Sequence, residues 1–163
     1  MKKPFETIVT EHGDTVLRVC RAVVGRHDAD DAWAETFLAA LRAYPALSEE
    51  ANVEAWLVTI AHRKSIDIVR SQRRRALTVD EVPDRPTESA TGVGERRDLW
   101  DAVWALPLKQ RQAVAYHYLA GLPYADVASV VGGSADAARR AAADGVGTLR
   151  TSYANPLSTG GTR

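Results

Sequence analysis

Residues 53–75 read VEAWLVTIAHRKSIDIVRSQRRR. Apolar side chains fall at Val53, Trp56, Leu57, Ile60 and Ile68. That spacing marks one face of an α-helix, and no alternation of period two competes with it. Asn52 stands just ahead as an N-cap. The pattern predicts a helix to about Gln72, roughly 30 Å long at 1.5 Å per residue. From His62 to Arg75 the same segment carries six bases (Arg63, Lys64, Arg70, Arg73, Arg74, Arg75) against one acid, Asp67. Arg63 and Arg70 are two turns apart, and Arg70, Arg73 and Arg74 share a face. Such a face can neutralise several phosphates and release their counterions. Trp56, two turns before Arg63, offers a flat ring of the kind on which unpaired bases stack. Two plainer readings stand beside these. Arginines at a helix C-terminus are favoured by the helix dipole alone, and Trp56 can belong to the core.

Outward from this segment the periodicity stays helical. Phe5, Ile8, Val9, His12, Val16, Val19, Cys20 and Val23 make a first helix that Gly25 stops. Asp28 or Asp30 can cap a second, which presents Trp33, Phe37, Ala40, Leu41 and Tyr44 on one face before Pro45 ends it. Residues 76–97 hold Pro83, Pro86, Gly92 and Gly94 among Thr and Ser and are acidic on balance. They read as a flexible linker. Periodicity resumes at Leu99, Trp100, Val103, Trp104 and Leu106. Pro107 can start a helix through Lys109, Gln112, Ala113, Tyr116 and Leu119, which Gly121-Leu122-Pro123 breaks. A short helix over 124–131, a turn at Gly132-Gly133-Ser134 with Ser134 as N-cap, and a last helix toward Arg150 complete the pattern. Short helix, glycine turn, helix is the helix-turn-helix order. The expectation is an all-α chain of two small helical domains, residues 1–75 and 98–150. A linker over 76–97 joins them, and a disordered tail over 151–163 ends the chain.

Length and composition agree with that division. The chain has 163 residues, 45% hydrophobic and 26% charged, the make-up of a soluble globular protein. No stretch approaches the roughly 18 apolar residues that span a bilayer. Two lysines come after Met1 with no apolar run behind them, so no secretory signal is expected. The single Cys20 allows no internal disulfide, and the four histidines lack ligand spacing. No nucleophile elbow, phosphate loop or Ser/His/carboxylate arrangement is present, so neither an enzyme nor a cofactor or metal site is expected. The reducing cytoplasm is the expected compartment.

Formal net charge is zero, with 21 bases against 21 acids. The zero conceals segregation. Asp28 to Glu54 holds seven acids (Asp28, Asp30, Asp31, Glu35, Glu49, Glu50, Glu54) and one base, Arg42. Helix capping accounts for one or two of the acids. The spacing matches no calcium loop. A docking face for a basic partner is the remaining reading.

Four segments in order resemble the small bacterial sigma factors of the extracytoplasmic-function class. They are DAWAETFLAALR (31–42), WLVTIAHRKSIDIVR (56–70), ALPLKQRQAV (105–114) and GLPYADVA (121–128). The resemblance runs from about residue 5 to 150. It implies a factor that binds core RNA polymerase and directs promoter recognition and transcription initiation. By the same resemblance, Asp31, Glu35, Phe37 and Leu38 dock on polymerase; the other reading of Phe37 is a core residue. Trp56, His62, Arg63, Asp67 and Arg70, with Arg73 and Arg74 extending the basic face, melt and hold the minus-ten element. Ser134, Arg139 and Arg140 of the last helix meet the minus-thirty-five element of promoter DNA in the major groove. An anti-sigma factor or auxiliary regulator is implied as a further partner. The alternative is a sigma-like helix-turn-helix regulator that binds DNA without engaging polymerase.

The chain departs from the family pattern at two places. Arg63 replaces a usual Asn. In the last helix Ala141 and Asp144 stand where basic residues are expected, and Gly145 and Gly147 each cost the helix about 1 kcal/mol relative to Ala. From Leu99 onward six bases face four acids, which is sparse for a reader of DNA.

Overall fold

The computed structural model describes residues 1–78 and 94–154. Among these the regular structure is helical. α1 spans Phe5–Val24, α2 Ala29–Ala43 and α3 Val53–Thr78. α4 spans Gly94–Ala105, α5 Leu108–Val114, α6 Tyr124–Val131 and α7 Ala135–Ala154. A 3-10 turn at Tyr44–Ala46 closes α2, and a π turn at Ala115–Leu119 continues α5.

The caps largely obey the side chains. Asn52 Oδ1 accepts the Ala55 amide at 3.1 Å, and Ser134 Oγ accepts the Ala137 amide at 3.1 Å. Asp28 sits at the N-cap position of α2, but its side chain makes no cap bond there. It accepts instead from Gln72 Nε2 at 2.6 Å and pairs with Arg75 at 3.6 Å. Gln72 also donates to the Val24 carbonyl at 2.8 Å. Three side chains therefore pin the far part of α3 to the junction of α1 and α2.

α1, α2 and α3 form the first domain around Val16, Val19, Cys20 and Val23, with Ala32, Phe37 and Ala40 and with Leu57, Val58, Ala61 and Val69. The second domain is built on α5 and α7, with α4 and α6 closing it. Its centre holds Leu106, Ala113, Val114, Leu122, Val127 and Ala142. α6, the turn and α7 form the helix-turn-helix. Gly132 and Gly133 take φ of 91° and 86°, a left-handed backbone that a Cβ disfavours.

Three boundaries differ from the sequence reading. α3 continues to Thr78 and α4 begins at Gly94, so both ends of the expected linker are helical. Residues 79–93 lie outside the described residues. α7 runs to Ala154, into the expected tail, and 155–163 are outside the described residues. Arg73, Arg74, Arg75, Ala76 and Leu77 are good helix formers, and exposed propensity is enough to carry the helix past its last packed residue.

The two domains also share a core. Tyr116, at the π turn, is fully buried and belongs to the same apolar cluster as Cys20 of α1 and Ala61 of α3. Gly25, at the end of α1, lies under the Trp104 ring. The Arg21 guanidinium sits 5.7 Å from the Trp100 ring centre.

Candidate nucleic-acid interface

α3 presents Arg63, Asp67, Arg70, Arg73 and Arg74 to solvent. Arg75 is exposed too but is taken up by Asp28. The buried stripe of this helix is Leu57, Val58, Ala61, Ser65 and Val69, so its arginines face outward because the core claims the other side. Trp56 is half-buried, with its ring 6.2 Å from that of Tyr44. It is a partly covered ring at the edge of the basic face, between the two readings the sequence left open.

His62 differs from the other residues of the expected DNA-binding set. Its Nδ1 lies 2.8 Å from the Tyr116 hydroxyl, and the rings meet edge to face at 5.6 Å. Burial, and then the charge of neighbouring Arg63, hold the imidazole below its ordinary pKa. Burial pushes the Tyr116 hydroxyl above its ordinary value, and Cys20 adds to this. The Cys20 thiol is itself raised by burial to about 12.

On α2 the acidic residues Asp31 and Glu35 are exposed, with Leu38 and Leu41 at 56% and 51% exposure beside them. Phe37 is only 6% exposed. Its ring packs 4.7 Å from Trp33 and 6.3 Å from Phe5, so the expectation that it meets polymerase is corrected: it is core. Adjacent helical residues point about 100° apart, so Phe37 and Leu38 cannot share the outer face. Leu41, read from the sequence as a core-facing residue, is the residue that joins Leu38 there. Trp33 is fixed by an indole donation to the Gly13 carbonyl at 2.9 Å.

On α7, Ala138, Ala142 and Gly145 face inward. Arg139, Arg140, Ala143, Asp144 and Gly147 face out. Arg139 donates to Asp136 at 2.8 Å and lies 5.2 Å from the Tyr124 ring centre, which in turn stacks on His117 at 3.9 Å. Ser134 spends its hydroxyl on the cap. Along the outward face Arg139 is already paired with Asp136, leaving Arg140 beside Asp144.

Sequence reasoning passed over Arg111. It is 7% exposed, donates to the Trp104 carbonyl at 3.1 Å and lies 4.3 Å from the Trp104 ring centre. It closes the end of α4. Burial, and then the charge of Arg73, lower its pKa. The described residues contain no group of three or more His, Cys, Asp or Glu side chains able to hold a metal ion. No described helix is long and apolar enough to cross a membrane.

Comparison with known proteins places each half. The family model for Sigma-70 region 2 matches residues 8–75, and that for Sigma-70, region 4 matches 96–148. The ECF RNA polymerase sigma factor BldN of Streptomyces coelicolor is 34% identical over 78% of this chain and 52% of its own length. The ECF RNA polymerase sigma factor SigC of Mycobacterium tuberculosis is 36% identical over 64% of this chain and 58% of its own. The chain thus spans about half the length of these curated relatives. Among solved structures, the sigma factor RpoE of Bartonella quintana, in complex with the anti-sigma factor NepR, superimposes with a TM-score of 0.76 at 18% identity. That match covers 93% of this chain and 98% of the other. CnrH, in complex with the cytosolic domain of CnrY, gives 0.66 at 22% identity, covering 90% and 85%. These two likenesses concern the fold.

Proposed function

The chain belongs to the sigma-70 family of RNA polymerase sigma factors, in its extracytoplasmic-function class, and on that premise we propose that it binds core RNA polymerase and directs it to promoters. The observation that carries this reading is the division of labour on the first domain. An acidic and leucine-bearing face on α2 lies on one helix, and an arginine face lies on another, with no residue in common. α2 docks the factor on a basic and apolar surface of polymerase through Asp31, Glu35, Leu38 and Leu41. α3 holds the separated strand of the minus-ten element through Arg63, Arg70, Arg73 and Arg74, with Trp56 at the rim for stacking. α7 enters the major groove of the minus-thirty-five element with Arg139 and Arg140. The first domain takes the part of the chain through α3 and the helix-turn-helix domain the part from α4 to α7. The factor works in the cytoplasm and has no reaction of its own. An anti-sigma factor or auxiliary protein restrains or assists it.

The deciding experiment is transcription in vitro with core polymerase and a library of promoter fragments. Transcripts that require the factor are expected. Specific DNA binding with neither core association nor factor-dependent transcript would favour the regulator that acts without polymerase.

A further inference from the structure

We infer that Tyr116 is an intramolecular latch that closes the free factor, fastening the second domain over the first and taking His62 out of use until the domains part. The inference rests on the promoter-directed reading above, and its central test does not.

The geometry begins at the π turn. The Ala120 amide bonds to the Ala115 carbonyl at 3.1 Å and the Leu122 amide to the Tyr116 carbonyl at 3.1 Å. The widened turn places Tyr116 outside its own helical unit and into the seam. There it has no exposure, meets His62 of α3 at 2.8 Å and shares an apolar cluster with Cys20 of α1. A tyrosine hydroxyl buried in this way needs a partner. The partner it has is a residue that the family resemblance assigns to the minus-ten element.

The closed arrangement cannot span a promoter. The names of the two elements set them some 25 base pairs apart, on the order of 85 Å at 3.4 Å per pair. A compact chain of this length has a radius of gyration of about 15 Å, hence a diameter of about 40 Å. α3 and α7 cannot reach both elements while they share one core. Chain length does not forbid separation, because the fifteen residues from 79 to 93 reach about 50 Å when fully extended. The α2 face is different: Asp31, Glu35, Leu38 and Leu41 are exposed while the seam is closed. The closed factor can therefore dock first and open afterwards.

The chain carries its own reporter. Cys20 is its single cysteine, is fully buried and shares the apolar cluster of Tyr116. The rate of its modification by a soluble disulfide reagent tracks the open population when closing outpaces labelling. His62→Ala leaves the Tyr116 hydroxyl buried and unpartnered, and labelling should quicken about five- to a hundred-fold, the equilibrium equivalent of that orphaned group. His62→Ala combined with Tyr116→Phe removes both polar partners and should fall back toward the wild-type rate. Small-angle scattering of the wild-type full chain should give the compact radius. The idea fails if the wild type is extended in solution. It fails equally if His62→Ala, with unchanged helix content and thermal midpoint, labels at the wild-type rate. Quickened labelling accompanied by lost helix content also counts against it, since exposure would then come from unfolding. A factor that labels as expected yet supports no transcription would retain the latch and lose the function.

Discussion

A Cβ atom built on Gly145 would stand 2.8 Å from the Val114 Cγ2 atom. α7 crosses α5 at this point with no room for a side chain, so the glycine that weakens the helix locally is what allows the two helices to meet. Gly145→Ala gains about 1 kcal/mol of helix propensity and loses about 1–3 kcal/mol to overpacking. The expected net effect is destabilisation, read as a lower denaturation midpoint. Gly147, which faces open space, should gain stability on the same change.

Docking on polymerase should depend on the exposed face of α2. Reversing Asp31 and Glu35 to Lys together, or replacing Leu38 and Leu41 by Ser, should weaken core association at least tenfold without altering helix content. Phe37→Ala should instead lower stability by about 3–5 kcal/mol, the usual cost of emptying a buried aromatic site. Core affinity that survives both surface pairs would refute the assignment of this face.

Promoter opening should depend on the α3 arginines. Arg63→Ala with Arg70→Ala should reduce open-complex formation while core binding persists. Each lost phosphate contact should also flatten the salt dependence of DNA binding, by about 0.7 to 0.9 in logarithmic slope. Permanganate footprinting across salt concentrations measures both effects. Normal melting by the double mutant would remove α3 from the role.

The second domain should read DNA weakly by itself. Major-groove discrimination draws roughly 1–3 kcal/mol from each good bidentate pair, and α7 offers Arg140, the paired Arg139 and then Asp144. Asp144→Arg, on the same outward face, should raise affinity for promoter DNA in the full chain and increase its salt dependence. If the substitution leaves binding unchanged, Asp144 lies away from the phosphates.

Acid should loosen the contact between the domains. His62 has a lowered pKa when it is buried against Tyr116, with Arg63 beside it on α3. A histidine held neutral in the closed state costs nothing above its ordinary value of 6.5. Below that value the open state takes up the proton more readily, so closure weakens as pH falls. Cys20 accessibility, corrected for the reagent's own pH dependence, should rise from pH 7 to pH 5.5 in the wild type. It should stay flat in His62→Ala.

Helix identity was legible where apolar side chains repeat over many turns, as in α1 and α3. The basic face of α3 was legible for the same reason, since its complement must be buried. Phe37 and Leu38 were grouped by the family resemblance, and the packing of Phe5 and Trp33 against Phe37 decides which of them turns inward. Gly145 was read as a propensity loss, because a close crossing with Val114 is a long-range fact. The role of Tyr116 was hidden for a related reason. A helical period explains its burial, but the partner that buries it lies 54 residues away.

The π turn at Ala115–Leu119 has a consequence for how the chain could vary. Such a turn holds one more residue than an α-helical turn, and here it ends α5, with no helix resuming before Tyr124. A residue gained or lost in it therefore acts on the seam around Tyr116 and has no continuation of the same helix to re-register.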